Sequence, residues 1–198
     1  TLVATVIATG TTRAVIGGGP LYGVRAFVVA SPYELFAFAL LGVACALAAV
    51  AFMWLLERGE ALFHRTALTM PLRPALGGLA AGGVIALIPE VAGNGYEPLA
   101  RILDGSYALG FVACLLAAKC IATTASVASG SPGGIFTPSM LVGGCVGALF
   151  GAAMHALFGA GVGAVGGYAL VGMAATTAAT THAPLIDRKS TRLNSSHR

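Results

Sequence analysis

Long apolar runs cut by short polar breaks dominate this chain, and strict alternation of apolar and polar positions is absent. Leu35 to Leu56 is 22 residues without a charge, enough to cross about 30 Å of hydrocarbon as a helix. ERGEALFHR continues it as an interfacial segment, with Trp54 near headgroup depth. Pro71 and Pro74 mark the next entry, and residues 75–88 are apolar, rich in Gly and Ala, and short for a straight span. PEVAGNGYEPLARILDG at 89–105 carries three acids and one arginine, which predicts a polar connection with one or two helical turns. Residues 108–128 predict another apolar helix, interrupted only by Lys119.

From Cys120 to Ile186 there are 67 residues without Asp, Glu, Lys or Arg. One span cannot use so many. SGSPGG at 129–134 breaks the run, and glycines around 159–167 break it again. Helices are therefore expected at 136–158 and 166–181. Gly143, Gly147 and Gly151 recur every four residues, a face that lets another helix approach closely. Gly159, Gly163 and Gly167 repeat the spacing inside an expected loop, where chance explains it. At the other end, residues 1–12 are apolar and β-branched, with threonines, and lead past Arg13 into a GGGPLYG loop.

Composition turns this pattern into a class. Hydrophobic residues make up 57% and charged residues 9%, against about 25% charged in a soluble domain. The chain is expected to be an all-α polytopic membrane protein seated in a lipid bilayer, and disorder is excluded. The formal net charge of +4 does not signal nucleic acid. DRKSTRLNSSHR at the end holds four of the basic residues, leaving seven basic and six acidic side chains in 1–186. No basic stripe interleaved with aromatics remains in the body. Two regions follow: a transmembrane domain over 1–186 and a polar basic tail at 187–198, expected to lie outside the fold unless it touches anionic lipid. The first residues, without Met and without a basic region, do not read as a signal peptide but as a chain entered partway through.

Candidate chemistry is sparse. Cys45, Cys114, Cys120 and Cys145 lie in apolar stretches, and no C-x-x-C or cysteine–histidine spacing suggests a disulfide framework, a metal or a cofactor. His64, His155 and His182 are not at ligand spacing, and His155 reads as a packing residue. Glu57, Arg58 and Glu60 read as a solvated helix end. With Arg65 and Arg73 their loop is cytoplasmic under the positive-inside rule. Glu90 and Glu97 are surface loop acids or vestibule charges. Lys119 is either a snorkelling residue or a functional charge. No nucleophile–base arrangement or carboxylate pair supports an enzyme.

One motif carries chemistry. SGSPGGIFTPSM at 129–140 lies at membrane depth, where irregular backbone is tolerated only inside protein or beside a watery cavity. Pro138 suits a first helical turn and Thr137 an N-cap. A helix starting there points unpaired amides and a positive dipole end at the midplane, an arrangement for a monovalent anion. The same residues also fit a plain glycine–proline turn between packed helices. No acid occurs in 120–186, which disfavours a cation pathway. Another secondary transporter or a structural membrane subunit without its own pore stays open on these grounds.

GSPGGIFTPSMLVGG resembles the GxFxP signature of the CLC chloride channels and proton–chloride antiporters, read as Gly134, Ile135, Phe136, Thr137 and Pro138. LLAAKCIATTASVASG is similar to the helix before that signature. YALVGMAATTAATTHAPL is similar to a later segment ending in an R-A-P-L-type turn, with His182 where arginine is common. IPEVAGNGYEPL resembles an earlier connection. The resemblance spans about 1–185 and implies part of an inverted-repeat fold of tilted, broken helices in a homodimer with two pores. It implies chloride as transported ligand, held at the amides of Ile135 and Phe136, and a bacterial inner membrane. The G-S-G-I-P segment, the G-[KR]-E-G-P segment with its gating glutamate and the late tyrosine of that family are not found in this sequence. An internal fragment holding one wall of a pore is the expectation.

Overall fold

The computed structural model describes residues 2–17, 27, 32, 34–65, 72–131 and 133–195, with backbone alone at 2, 5, 16, 160 and 182–195. Seven α-helices run in order along these residues: α1 (Leu2–Ile16), α2 (Glu34–Arg65), α3 (Leu72–Leu87), α4 (Tyr96–Leu103), α5 (Leu109–Ala128), α6 (Phe136–Phe158) and α7 (Val165–Ser195). Short 3₁₀ turns at Pro89–Val91 and Gly159–Gly161 precede α4 and α7. The protein is all-α, with no strand among the described residues. Helices α2, α5 and α6 are long and apolar enough to cross a membrane, and α3 is a shorter apolar helix.

Residues 1–12 are rich in β-branched side chains, a composition that favours strands, yet 2–12 lie in α1. Thr11 shows how: its Oγ1 donates to Ile7 O at 2.9 Å, satisfying the hydroxyl within the helix. The expected GGGPLYG loop lies outside the described residues except for Gly17, and Pro71 and Pro132 lie outside them too. Helix α2 carries ERGEALFHR as its last turns, where Arg58 stacks over the Trp54 ring at 5.0 Å. Glu57, Arg58 and Glu60 are all exposed there.

The 89–105 connection holds α4, about two turns as expected, preceded by a short 3₁₀ turn. Gly95, at φ 78°, starts α4, and Pro98 fits its first turn. Leu99, Ile102 and Leu103 face inward on α4, while Glu97 and Arg101 pair outside at 2.6 Å. Those three buried residues meet Leu115 of α5, Leu141 and Cys145 of α6, and Ala169 of α7 in the main core. Burying a side chain such as Leu99 contributes about 1.5–3 kcal/mol.

Helices α6 and α7 meet along the glycine face expected from spacing. A Cβ at Gly143 would meet Gly172 O and Thr176, one at Gly147 would meet Tyr168 O and Ala169, and one at Gly151 would meet the Tyr168 ring. Gly172 answers from α7 against Gly143 O and Gly147. Backbone touches backbone, so no side chain larger than hydrogen fits at the centre. The end of α7 differs from expectation: the helix runs on to Ser195, not stopping near 181. No glycine occurs after Gly172 and no proline after Pro184. The tail's Arg, Lys and Leu are good helix formers, so its polarity alone does not end the helix.

Candidate anion site

The apolar run breaks between α5 and α6, and the local chemistry explains where. Ser129 turns its hydroxyl back onto Ser126 O at 2.7 Å as α5 ends, and Gly130 takes φ 90°, a conformation that favours glycine. The chain then reaches Gly133 and Gly134, both exposed, before α6 begins at Phe136. The N-cap is Ile135, not Thr137, and no side chain caps the helix. Thr137 falls two residues past the cap, inside the first turn. The reason lies in the backbone: Ser139 N donates to Ile135 O at 3.0 Å, which closes the first turn one residue before Phe136. Pro138 is buried within that turn, where its missing N–H leaves no unmet donor.

A side-chain cap would have blocked the helix end; here it stays open. Among the described residues, the amides of Ile135, Phe136 and Thr137 have no backbone acceptor. Ser139 commits its hydroxyl to Phe136 O at 2.7 Å. Phe136 is 58% exposed, and Ile135 and Thr137 are half-buried. The five signature residues, Gly134 to Pro138, are thus one continuous helix start. Gly134 is not held there by backbone strain, because its φ lies outside the left-handed region, and a Cβ on it would meet open space. The sharp turn belongs to Gly130.

Two open depressions flank this helix start. One, about 190 Å³, is lined by Gly133, Gly134 and Pro138 together with Lys119, Thr123 and Ser126. The other, about 380 Å³, lies between Phe136 and Met140 of α6 and Met173 and Thr177 of α7. Lys119 does not snorkel: it is 4% exposed, and its Nζ donates to Val91 O at 2.8 Å and Gly93 O at 2.9 Å. That ties the 89–95 connection to α5 and sets the ammonium beside the break.

A second buried charge escaped the sequence reading. Glu34, 3% exposed at the head of α2, accepts a hydrogen bond from Gly163 N–H at 2.6 Å. The only signal was an acid placed just before the 22-residue apolar run. The remaining candidates lie elsewhere. All four cysteines are free, with Cys45 and Cys145 buried in the packing and Cys114 exposed. No group of metal-ligating side chains occurs among the described residues. His64 sits 3.7 Å from Glu60 on an exposed helix face. His155 is in the last turn of α6, and the His182 side chain lies outside the described residues. Glu97 belongs to the exposed pair with Arg101, and Glu90 is half-buried beside it.

The chain is similar to known proteins over most of its length. The family described as voltage gated chloride channel matches residues 1–186. A putative ClcB-like chloride channel protein of Ralstonia nicotianae is 40% identical over 185 residues, covering 93% of this chain and 43% of the relative. The voltage-gated ClC-type chloride channel ClcB of Citrobacter koseri is 37% identical over 135 residues, covering 68% of this chain and 32% of the relative. That of Salmonella typhi is 37% identical over 134 residues, with the same coverage. The chain spans less than half the length of these curated relatives. With its apolar helices, its glycine-led helix start and this match, the chain belongs to the voltage gated chloride channel family of integral membrane proteins.

Proposed function

We propose that this chain forms one wall of a chloride pathway of CLC type in a bacterial plasma membrane, within a homodimer. The anion rests against the amides of Ile135 and Phe136 at the start of α6, and the Ile135 and Phe136 side chains form an apolar collar. The observation that carries the reading is the uncapped helix start together with the lack of any acid in 105–186. No carboxylate of the body's own sequence near this break competes for the amides. A helix end offers only about half an elementary charge, enough to hold a monovalent anion and still release it.

The test is calorimetric titration of the protein in lipid nanodiscs with chloride, bromide and sulfate. Chloride and bromide should bind, and sulfate should not. Phe136→Ala should change halide affinity by less than about tenfold, because the amide survives the truncation. Gly134→Val should weaken binding more while leaving the melting temperature unchanged, since its side chain enters open space beside the helix start. Loss of binding in Phe136→Ala with full binding in Gly134→Val contradicts the amide reading.

A further inference from the structure

Two helices press bare backbone onto the end of α5, just where the chain leaves it for the α6 amides. Gly77 is buried on α3, and a Cβ there would meet both the Ser129 side chain and Ala125 O. Gly59 does the same from α2, where a Cβ would meet Thr124 Cγ2 and lie 3.0 Å from Ala128 Cβ. Thr124 and Ala128 form one row along α5, and Ala125 and Ser129 form the next, so adjoining faces are gripped. Backbone cannot swing aside as the tip of a side chain can, and α5 cannot retreat from α3 without sliding past α2. Beyond Ser129 the chain is slack. Gly130, Gly133 and Gly134 are exposed, and a Cβ at Gly130 or Gly134 would meet nothing. The grip on α5 is therefore the last firm contact before α6 begins.

We propose that Gly77 is a positioning residue for the anion site. By letting α3 lie directly on Ala125 and Ser129, it fixes the point at which the chain departs from α5. That point sets the spacing between α5 and the Ile135 and Phe136 amides. Ser129 carries the position forward: its hydroxyl donates to Ser126 O at 2.7 Å and lies 3.5 Å from the Ser131 hydroxyl. The depression of about 190 Å³ has Ser126 and Val127 of α5 on one side and Gly134 and Pro138 on the other, so a displaced α5 end alters its width. Helix α3 packs on α5 and on the 89–91 turn, and it acts on the site through α5. The proposal rests on the anion reading of the α6 start, and adds to it a residue that sets the geometry of that start from outside.

The experiment is bromide titration of the protein in nanodiscs, with melting curves alongside. Gly77→Ala should bind bromide at least about tenfold more weakly, and Gly78→Ala, whose new Cβ meets open space, within about threefold of the unchanged protein. Gly166→Ala separates position from stability, because its Cβ meets Leu103 O at the start of α7, an equally unyielding contact outside the α5 end. It should lower the melting temperature as Gly77→Ala does, yet keep bromide binding within about threefold. A second measurement needs no substitution. A contact that favours the binding geometry is favoured by the ligand in return, so saturating bromide should slow hydrogen exchange at the amides of residues 77–79. Gly77→Ala that folds and binds like Gly78→Ala overturns the proposal, and so does equal weakening in Gly166→Ala. If Gly77→Ala or Gly166→Ala fails to fold, exchange decides: slowed amides on α3 support the positioning role, and unchanged amides overturn it. The helix-end reading survives each of these results, whereas absent halide binding in the unchanged protein overturns both.

Discussion

The long charge-free run breaks twice, and its two breaks are built on the same material to opposite ends. Both are glycine-rich, both precede a helix, and both leave backbone amides in apolar surroundings. At the second break Gly159, at φ 62°, caps α6, and Gly163 offers its N–H to the chain's own Glu34 carboxylate, brought across from α2. At the first break the amides before Pro138 meet no acid, and the nearby charge is the Lys119 ammonium. One helix start is already filled by a fixed anion. The other has no carboxylate on its amides among the described residues, which suits a mobile anion.

Helix α6 joins the two breaks, so prying it from α7 should do the most damage. Gly147→Leu places a side chain against the backbone of Tyr168 and Ala169, which cannot swing aside. A loss of about 3 kcal/mol is expected in a reversible unfolding measurement, at the upper end for overpacking. Unchanged stability would mean that the seam opens freely, and that α6 does not hold the breaks in register.

Removing the fixed anion sharpens the contrast. Glu34→Ala should cost about 2 kcal/mol, the scale of a buried hydrogen bond to a charged group. It should also leave Gly163 N–H open, so that bromide density appears there in the variant alone. Glu34→Ala with full stability and no new density would show that the carboxylate is incidental to the second break.

Smaller effects follow at the edges. Gly130→Ala forces an L-residue into φ 90° and should cost about 1 kcal/mol, read as a lowered melting temperature. Truncation after Ile186 should change stability by less than about 0.5 kcal/mol, even though α7 runs to Ser195. A marked loss of folded protein on truncation would make the tail part of the fold.

The helices were legible because apolar length and glycine breaks are local signals. The α6 bounds at 136 and 158 follow from the SGSPGG segment and the glycines after Phe158. The glycine face was legible for the same reason, since a four-residue spacing on a helix must point one way. Its partner was not, because Gly172, Tyr168 and Thr176 on α7 have no pattern until the two helices meet. Thr137 was misplaced as the cap because residue preference outranks backbone closure in a sequence, while in the structure the bond from Ser139 N to Ile135 O decides. Glu34 and Lys119 share one lesson. Their partners lie 129 and 26–28 residues away, so a single buried charge in an apolar sequence announces a role without naming its partner.

The most direct measurement is anomalous diffraction from crystals of the protein grown in bromide. A peak within hydrogen-bond distance of the Ile135 and Phe136 amides, with none at Gly163 while Glu34 is present, is the expected result. Bromide that avoids the α6 start, or that gathers equally at both breaks, would contradict the distinction between a filled helix end and an open one.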